Sequence, residues 1–175
     1  MSDDTNITSV EKSRLEAEAA RIEESAMYSA QGQFEAAKVW QQVHWALGCS
    51  MTGGSAMAGI LAFASGTLQI LSGSLAVLSA LAGAIITTLR PDRKAQKAVL
   101  NANNYLRIQG SARRCRNLRA HTFNSVQDGS AEVERIANNI ADINTAAEPI
   151  PRLAYRRARR NILRDMGQTF SGDRE

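Results

Sequence analysis

Residues 39–89 contain no aspartate, glutamate, lysine or arginine, an uncharged run of 51 residues in a chain of 175. A water-soluble domain normally keeps charge on each surface helix, so this absence is the first fact to explain. Other residue types are scarce too. Two cysteines, Cys49 and Cys115, exclude a disulfide-dense secreted scaffold and a four-thiolate zinc site. The two histidines, His44 and His121, lie far apart in sequence. There is no GxGxxG or Walker-type phosphate loop, no HExxH and no CxxC. Without convergent acids, bases or nucleophiles, neither catalysis, a cofactor nor a metal site is expected.

The charges that are present are segregated. Residues 1–42 carry 4 basic and 8 acidic side chains, and residues 90–175 carry 17 basic and 9 acidic ones. The formal net charge of +4 is therefore an acidic arm, a neutral block and a basic arm added together.

An α-helix crosses the hydrocarbon core of a bilayer with about 20 mostly apolar residues. The neutral block is too long for one crossing and suits two with a short turn. Ser65-Gly66-Thr67 is the turn signal, giving spans at 44–64 and 68–89, each roughly 30 Å long. The second span is the more apolar, and the first is heavy in Gly, Ala, Ser and Thr. Small residues recur every four positions: Ser50, Gly54, Ala58 and Ala62 in the first, and Ser72, Ala76, Ala80 and Ala84 in the second. With Gly83 they are expected to bring the spans close together. Ser72 and Ser79, seven apart, share a face and with Gln69 could line a pore. Serines in spans also bond their own backbone or fill close contacts. Two helices cannot enclose water, so a pore implies a homo-oligomer.

A hairpin buried in a soluble bundle is the competing reading, but the remaining chain is too polar to wrap two uncharged helices. Arg90, Arg93, Lys94 and Lys97 follow the second span, Lys38 precedes the first, and the turn is uncharged. The positive-inside rule then places both termini in the cytoplasm, with the chain in a cell membrane. The apolar block begins near residue 43, too late for a signal peptide, and is expected to remain in the mature protein.

The arms read as helices. Residues 9–42 lack proline and carry a thin apolar stripe, Leu15, Ala19, Ile22 and Ala26, with Gly32 as a candidate interruption. Pro91 sets a boundary at Arg90. A long helix is expected over 95–126, with Val99, Ala102 and Leu106, and Ala98, Ala102 and Tyr105, to one side. Asp128-Gly129-Ser130 reads as a turn. Val133, Ile136, Ile140 and Ile143 then form a coiled-coil-like seam. After Pro149-Ile150-Pro151, a last helix has Ala154, Ala158, Ile162 and Met166 on one stripe, and residues 167–175 form a polar tail. The expected fold is all-α and a single domain: a two-helix transmembrane hairpin flanked by one N-terminal and about three C-terminal cytoplasmic helices.

Basic clusters at Arg113, Arg114, Arg116 and Arg119, and at Arg156, Arg157, Arg159 and Arg160, join those after the second span. Three partners fit them: anionic lipid, a phosphate-bearing ligand such as a nucleotide, or the acidic N-terminal helix of the same or another chain. Duplex nucleic acid is not expected, because no recognition module is present.

Several runs carry a family resemblance. They are Arg90-Pro91-Asp92-Arg93-Lys94-Ala95, Ala102-Asn103-Asn104-Tyr105-Leu106-Arg107, Arg113-Arg114, and Glu148-Pro149-Ile150-Pro151-Arg152-Leu153-Ala154-Tyr155-Arg156-Arg157-Ala158. Placed after a two-span hairpin, these resemble the SLATT family, two-transmembrane effector domains associated with nucleotide-generating and nucleotide-sensing prokaryotic defence proteins. A histidine frequent in that family after the spans is replaced by Ala98. The resemblance implies a membrane effector of bacterial conflict systems that forms a pore or disrupts the membrane when a partner supplies the trigger. A membrane-tethered module that recruits a cytosolic partner is the alternative.

Integral insertion is directly measurable. Membranes from expressing bacteria, washed with alkaline carbonate, should keep the protein in the pellet, from which mild detergent should release it. Release by carbonate alone would remove the membrane reading.

Overall fold

A computed structural model describes residues 9–117, 123 and 125–164. Arg119, His121, Met166 and the tail at 167–175 lie outside the described residues. Among the described residues the chain is all-helical, with α1 (Ser9–Leu61), α2 (Thr67–Leu89), α3 (Pro91–Asn117), α4 (Val126–Ala146) and α5 (Arg152–Arg164). It divides into two compact units: Ala37–Lys97, and Met1–Ala36 with Ala98–Glu175. The boundaries fall inside α1 and inside α3, not in loops.

The sequence suggested separate helices over 9–42 and 44–64, but α1 is one unbroken helix of 53 residues. Gly32 does not interrupt it. This glycine instead makes room for Ile150, whose Cδ1 would lie only 2.6 Å from a Cβ placed there. α1 ends at Leu61, and the turn runs through Gly66, which adopts φ 73°, a left-handed value that glycine takes without strain.

The α2–α3 break is a single residue. Arg90 takes the left-handed conformation (φ 46°, ψ 57°) and donates its backbone N–H to Ile86 O at 3.0 Å. Pro91 then starts α3, where its missing N–H costs no helical bond. The boundary expected from Pro91 is where the sequence put it. The long helix expected over 95–126 begins earlier, at Pro91, is described to Asn117, and does not run unbroken to 126, since Phe123 and Ser125 lie outside helix.

The turn expected at Asp128-Gly129-Ser130 is also corrected: these residues lie in the first turns of α4. Ser125 caps that helix, its side chain accepting the Asp128 N–H at 3.1 Å. Gly129 serves close approach instead of a turn. A Cβ there would meet Leu15 Cδ1 at 2.6 Å and Phe123 Cδ2 at 3.3 Å.

The unit formed by the two arms has a narrow helical core. Ile22 and Ala26 of α1 meet Ile108, Ala112 and Cys115 of α3, and Val133 and Ile136 of α4. Leu15, Phe123, Ala137, Ile140 and Ile143 close its edge. The stripes read from the sequence therefore face inward on α1, α4 and α5, where Ala154 and Ala158 are buried. On α3 the buried set is Ala98, Ala102 and Tyr105, while Val99 is exposed. So many alanines give little bulk but let helix axes come close. Between the arms, Arg116 pairs with Glu23 at 3.2 Å, so acidic and basic arms do meet within one chain.

Tyr105 donates its hydroxyl to Asn144 Oδ1 at 2.7 Å, tying α3 to α4, and burial raises its pKa above the ordinary 10.0. The folded state thus holds the phenolic proton more tightly than the unfolded state. Its contribution is intact below the unfolded value and is lost as pH rises through the folded one. Tyr105→Phe should cost about 1 kcal/mol at neutral pH. The gap between parent and variant in thermal midpoint should narrow above pH 10, as read by helical circular dichroism.

Candidate functional site: a helical hairpin with its large side chains outward

Within the unit Ala37–Lys97, the C-terminal part of α1 and α2 run antiparallel and in close contact. Ser72 Oγ donates to Ala58 O across the pair at 2.7 Å. Further from the turn, Gly54 sits against the Ser79 hydroxyl, and Gly83 sits against Met51, whose Sδ would be 3.0 Å from an added Cβ. Glycine opposite serine or methionine lets the backbones approach more closely than two leucines would.

The hairpin is inverted relative to a soluble helical pair. Its inner face holds Ser72, Ser79, Ala58 and Ala82, while Ile60, Phe63, Ile70, Val77, Leu78 and Leu81 face outward. Phe63 is 96% exposed and Ile70 73%. The helical run Thr67–Asn117 contains a window long and apolar enough to cross a membrane, and 17% of that window is buried. A soluble core helix of such composition would be mostly buried. No charge lies on either side of the hairpin between residues 39 and 89.

Several hydroxyls of the hairpin are closed off locally. Ser50, Thr52, Ser55, Ser74 and Thr87 face outward, yet each hydroxyl donates to a carbonyl one turn back. Their donor–acceptor distances run from 2.7 Å for Ser55 to 3.1 Å for Thr87. Ser79 does the same, to Leu75 O at 2.8 Å. In water, hydroxyls have no need of this. In hydrocarbon, no other acceptor exists.

Two expectations about this site are corrected. Of the four-residue stripes, Gly54, Ala58, Ser72 and Gly83 do meet the partner helix, but Ser50, Ala62, Ala76, Ala80 and Ala84 face outward. A step of four advances about 40° beyond a full turn, so such a stripe winds off the interface within a few repeats. The observed inner faces alternate steps of three and four: Leu47, Met51, Gly54, Ala58 and Leu61 on α1, and Ser72, Leu75, Ser79, Ala82 and Ile86 on α2. Leu47, Met51, Leu75 and Ile86 were missed because a search for small residues passes over large ones that share their face. Second, Ser72 and Ser79 do share a face, as their spacing requires, but that face is turned into the hairpin. They line no lumen in this arrangement. Gln69 is exposed beside the turn.

The basic residues are distributed differently from one another. Lys94 sits over the Trp40 ring, 4.6 Å from its centroid, in a cation–π contact near the charged end of the hairpin. Arg90, Arg93 and Lys97 are exposed beside it in sequence. In the other unit, Arg116 is committed to Glu23 and Arg114 donates to Ser111 Oγ at 3.2 Å, while Arg113 is half-buried. Arg156, Arg157, Arg159 and Arg160 are exposed on α5. That unit also buries Gln31, Gln33 and Glu35, at alternate positions within little more than one turn of α1, and their polarity alone argues against placing them inside. The interleaved small residues Ala30, Gly32, Ala36 and Ala37 were the available signal, since neighbours crowd a helix there from nearly every side. Gln33 Nε2 donates to Glu148 O at 3.3 Å, just ahead of the Pro149-Ile150-Pro151 break.

Comparison with family models, with curated proteins and with solved structures returned no match.

The contact face makes a sharp distinction among substitutions. Gly54→Leu and Gly83→Leu should force the helices apart, because each places bulk on Ser79 or Met51. Ala80→Leu, on the outer face, should be tolerated. In detergent, sodium dodecyl sulfate titration followed by circular dichroism should show an earlier transition for the two glycine variants, by about 1–3 kcal/mol. Ala80→Leu should match the parent.

Proposed function

We propose that the chain is an integral protein of the bacterial inner membrane, crossing it as a hairpin with segments 44–64 and 68–89 and keeping both termini in the cytoplasm. The observation that carries this reading is the hairpin's uncharged outer face: Ile60, Phe63, Ile70, Val77, Leu78 and Leu81 are exposed, Gly54, Ala58, Ser72 and Ser79 lie at the helix contact, and outward hydroxyls are bonded to their own helix. Water would penalise that arrangement, and lipid rewards it. Arg90, Arg93, Lys94 and Lys97 at one end, against an uncharged turn at the other, support the orientation. The first segment is less apolar than the second; its Gly54 and Ala58 face α2, and its Ser50, Thr52 and Ser55 hydroxyls bond their own backbone.

Its biological role, on this reading, is that of an effector in a prokaryotic nucleotide-signalling or anti-phage conflict system, which oligomerises on activation to permeabilise or disrupt the membrane. Support comes from the SLATT-like runs around Pro91, Tyr105 and Pro149-Ile150-Pro151, joined to a small-residue hairpin suited to helix association. A nucleotide-sensing or nucleotide-generating partner would supply the trigger. One observation favours the second reading, a tether that recruits a cytosolic protein: Ser72 and Ser79, the serines whose spacing suited a lumen, are turned into the hairpin. A pore would then require the hairpins to repack.

The two readings separate in one experiment. In cells carrying the activated partner, a voltage-sensitive dye should report depolarisation on induction of the parent chain. Replacing residues 44–89 with an unrelated hairpin should abolish it. Growth arrest that survives the replacement, with the potential intact, would establish the tether.

A further inference from the structure

We propose that α5 is a membrane-surface helix whose outer face lies on anionic lipid headgroups. The inference rests on the membrane reading above and adds a second, separate lipid contact made by the cytoplasmic arm. α5 buries one narrow edge, where Ala154 is 0% and Ala158 3% exposed, and turns the rest outward. Its thirteen residues, Arg152–Arg164, include six arginines and no acid, and all six arginines are exposed. Leu153 and Leu163 are exposed as well, at 61% and 58%. The spacing places Leu153, Arg156, Arg160 and Leu163 within one arc, so arginine and leucine are presented together and not on opposite sides.

This mixture selects among anionic partners. A nucleic-acid backbone would satisfy the guanidinium groups but offer the leucines nothing. A headgroup layer satisfies both, with phosphates for the arginines and the acyl boundary for the leucines. Long arginine stems can lie along the apolar layer while their heads reach phosphate. The neighbouring helix α4 shows the contrast: its outward face mixes Glu134, Arg135, Asp142 and a bidentate Arg135–Glu132 pair at 2.8 Å, a surface balanced for water. Each basic side chain held at an anionic leaflet is worth about a fivefold preference.

The test uses the full chain in nanodiscs, one set of phosphatidylcholine alone and one with phosphatidylglycerol added. Amide hydrogen exchange is read on the peptide covering 152–164. Protection of α5 should rise with the anionic fraction and fall again in high salt, while exchange in α2 stays slow in both discs. Arg156→Gln, Arg159→Gln and Arg160→Gln together should abolish the rise without changing helical content, since all three are exposed. Equal α5 exchange in both discs would overturn the proposal, as would protection that appears only when an acidic protein or a nucleic acid is added. A chain that enters neither disc would overturn the membrane reading itself, which keeps the two failures apart.

Discussion

The uncharged block of this molecule is shaped by one constraint: most of its hydrogen-bonding groups find a partner inside their own helix or across one helix contact. Backbone groups meet it by forming α1 and α2. Side chains meet it by turning back, as Ser50, Thr52, Ser55, Ser74 and Thr87 do, or by reaching across, as Ser72 does to Ala58 O. Once polar groups are closed in this way, the outer face is free to carry Ile70, Val77, Leu78 and Leu81. The same requirement explains why glycine and serine, poor choices for a soluble helix, occupy the contact. They admit the close approach on which dispersion forces depend when burial of apolar area drives nothing.

The flanking unit obeys a different rule. Here apolar area does leave water, through the Ile22–Ile108–Ile136 cluster, and charges stay outside or pair, as Arg116 and Glu23 do. Its core is built largely from alanine, so helix separation is small and tolerance for added bulk is low at Gly32 and Gly129. The two rules are separated along the chain by the onset of the uncharged block, yet α1 passes through that onset without a break.

Much of this was legible in the sequence, for identifiable reasons. Helical periodicity is strong where the contrast between apolar and charged residues is strong, so Ala19, Ile22, Ala26, Val133, Ile136, Ala154 and Ala158 were read correctly as inner positions. Pro91 fixed one boundary through sterics alone. The errors arose where contrast is weak. In the uncharged block nearly every residue could face lipid or protein, so a four-residue repeat looked like an interface although it winds around the helix. Asp128-Gly129-Ser130 has a turn's composition, but Ser125 upstream already supplies the cap, and the glycine answers to Leu15, which is distant in sequence. Gln33 and Glu35 carry polar side chains that argue against burial, and only the small residues around them, Ala30, Gly32, Ala36 and Ala37, point the other way.

The hairpin contact also bears on how such a chain could change state. Its hold includes the cross-helix hydrogen bond from Ser72 to Ala58 O and close contacts at Gly54 and Gly83. In lipid, an interhelical hydrogen bond of this kind is worth only about 0.6–2 kcal/mol, because alternative partners are within reach. In the proposed oligomer a second copy would present the same faces, so exchanging an internal contact for one between chains would preserve the type of interaction. The balance is then set by what gathers the copies together, not by the spans themselves. On the proposed reading, control would lie with the arms, where charge is concentrated, and the hairpin would respond. A hairpin stitched by large interlocking leucines would lack this property, since separating its faces would open voids that no second copy in another register could fill.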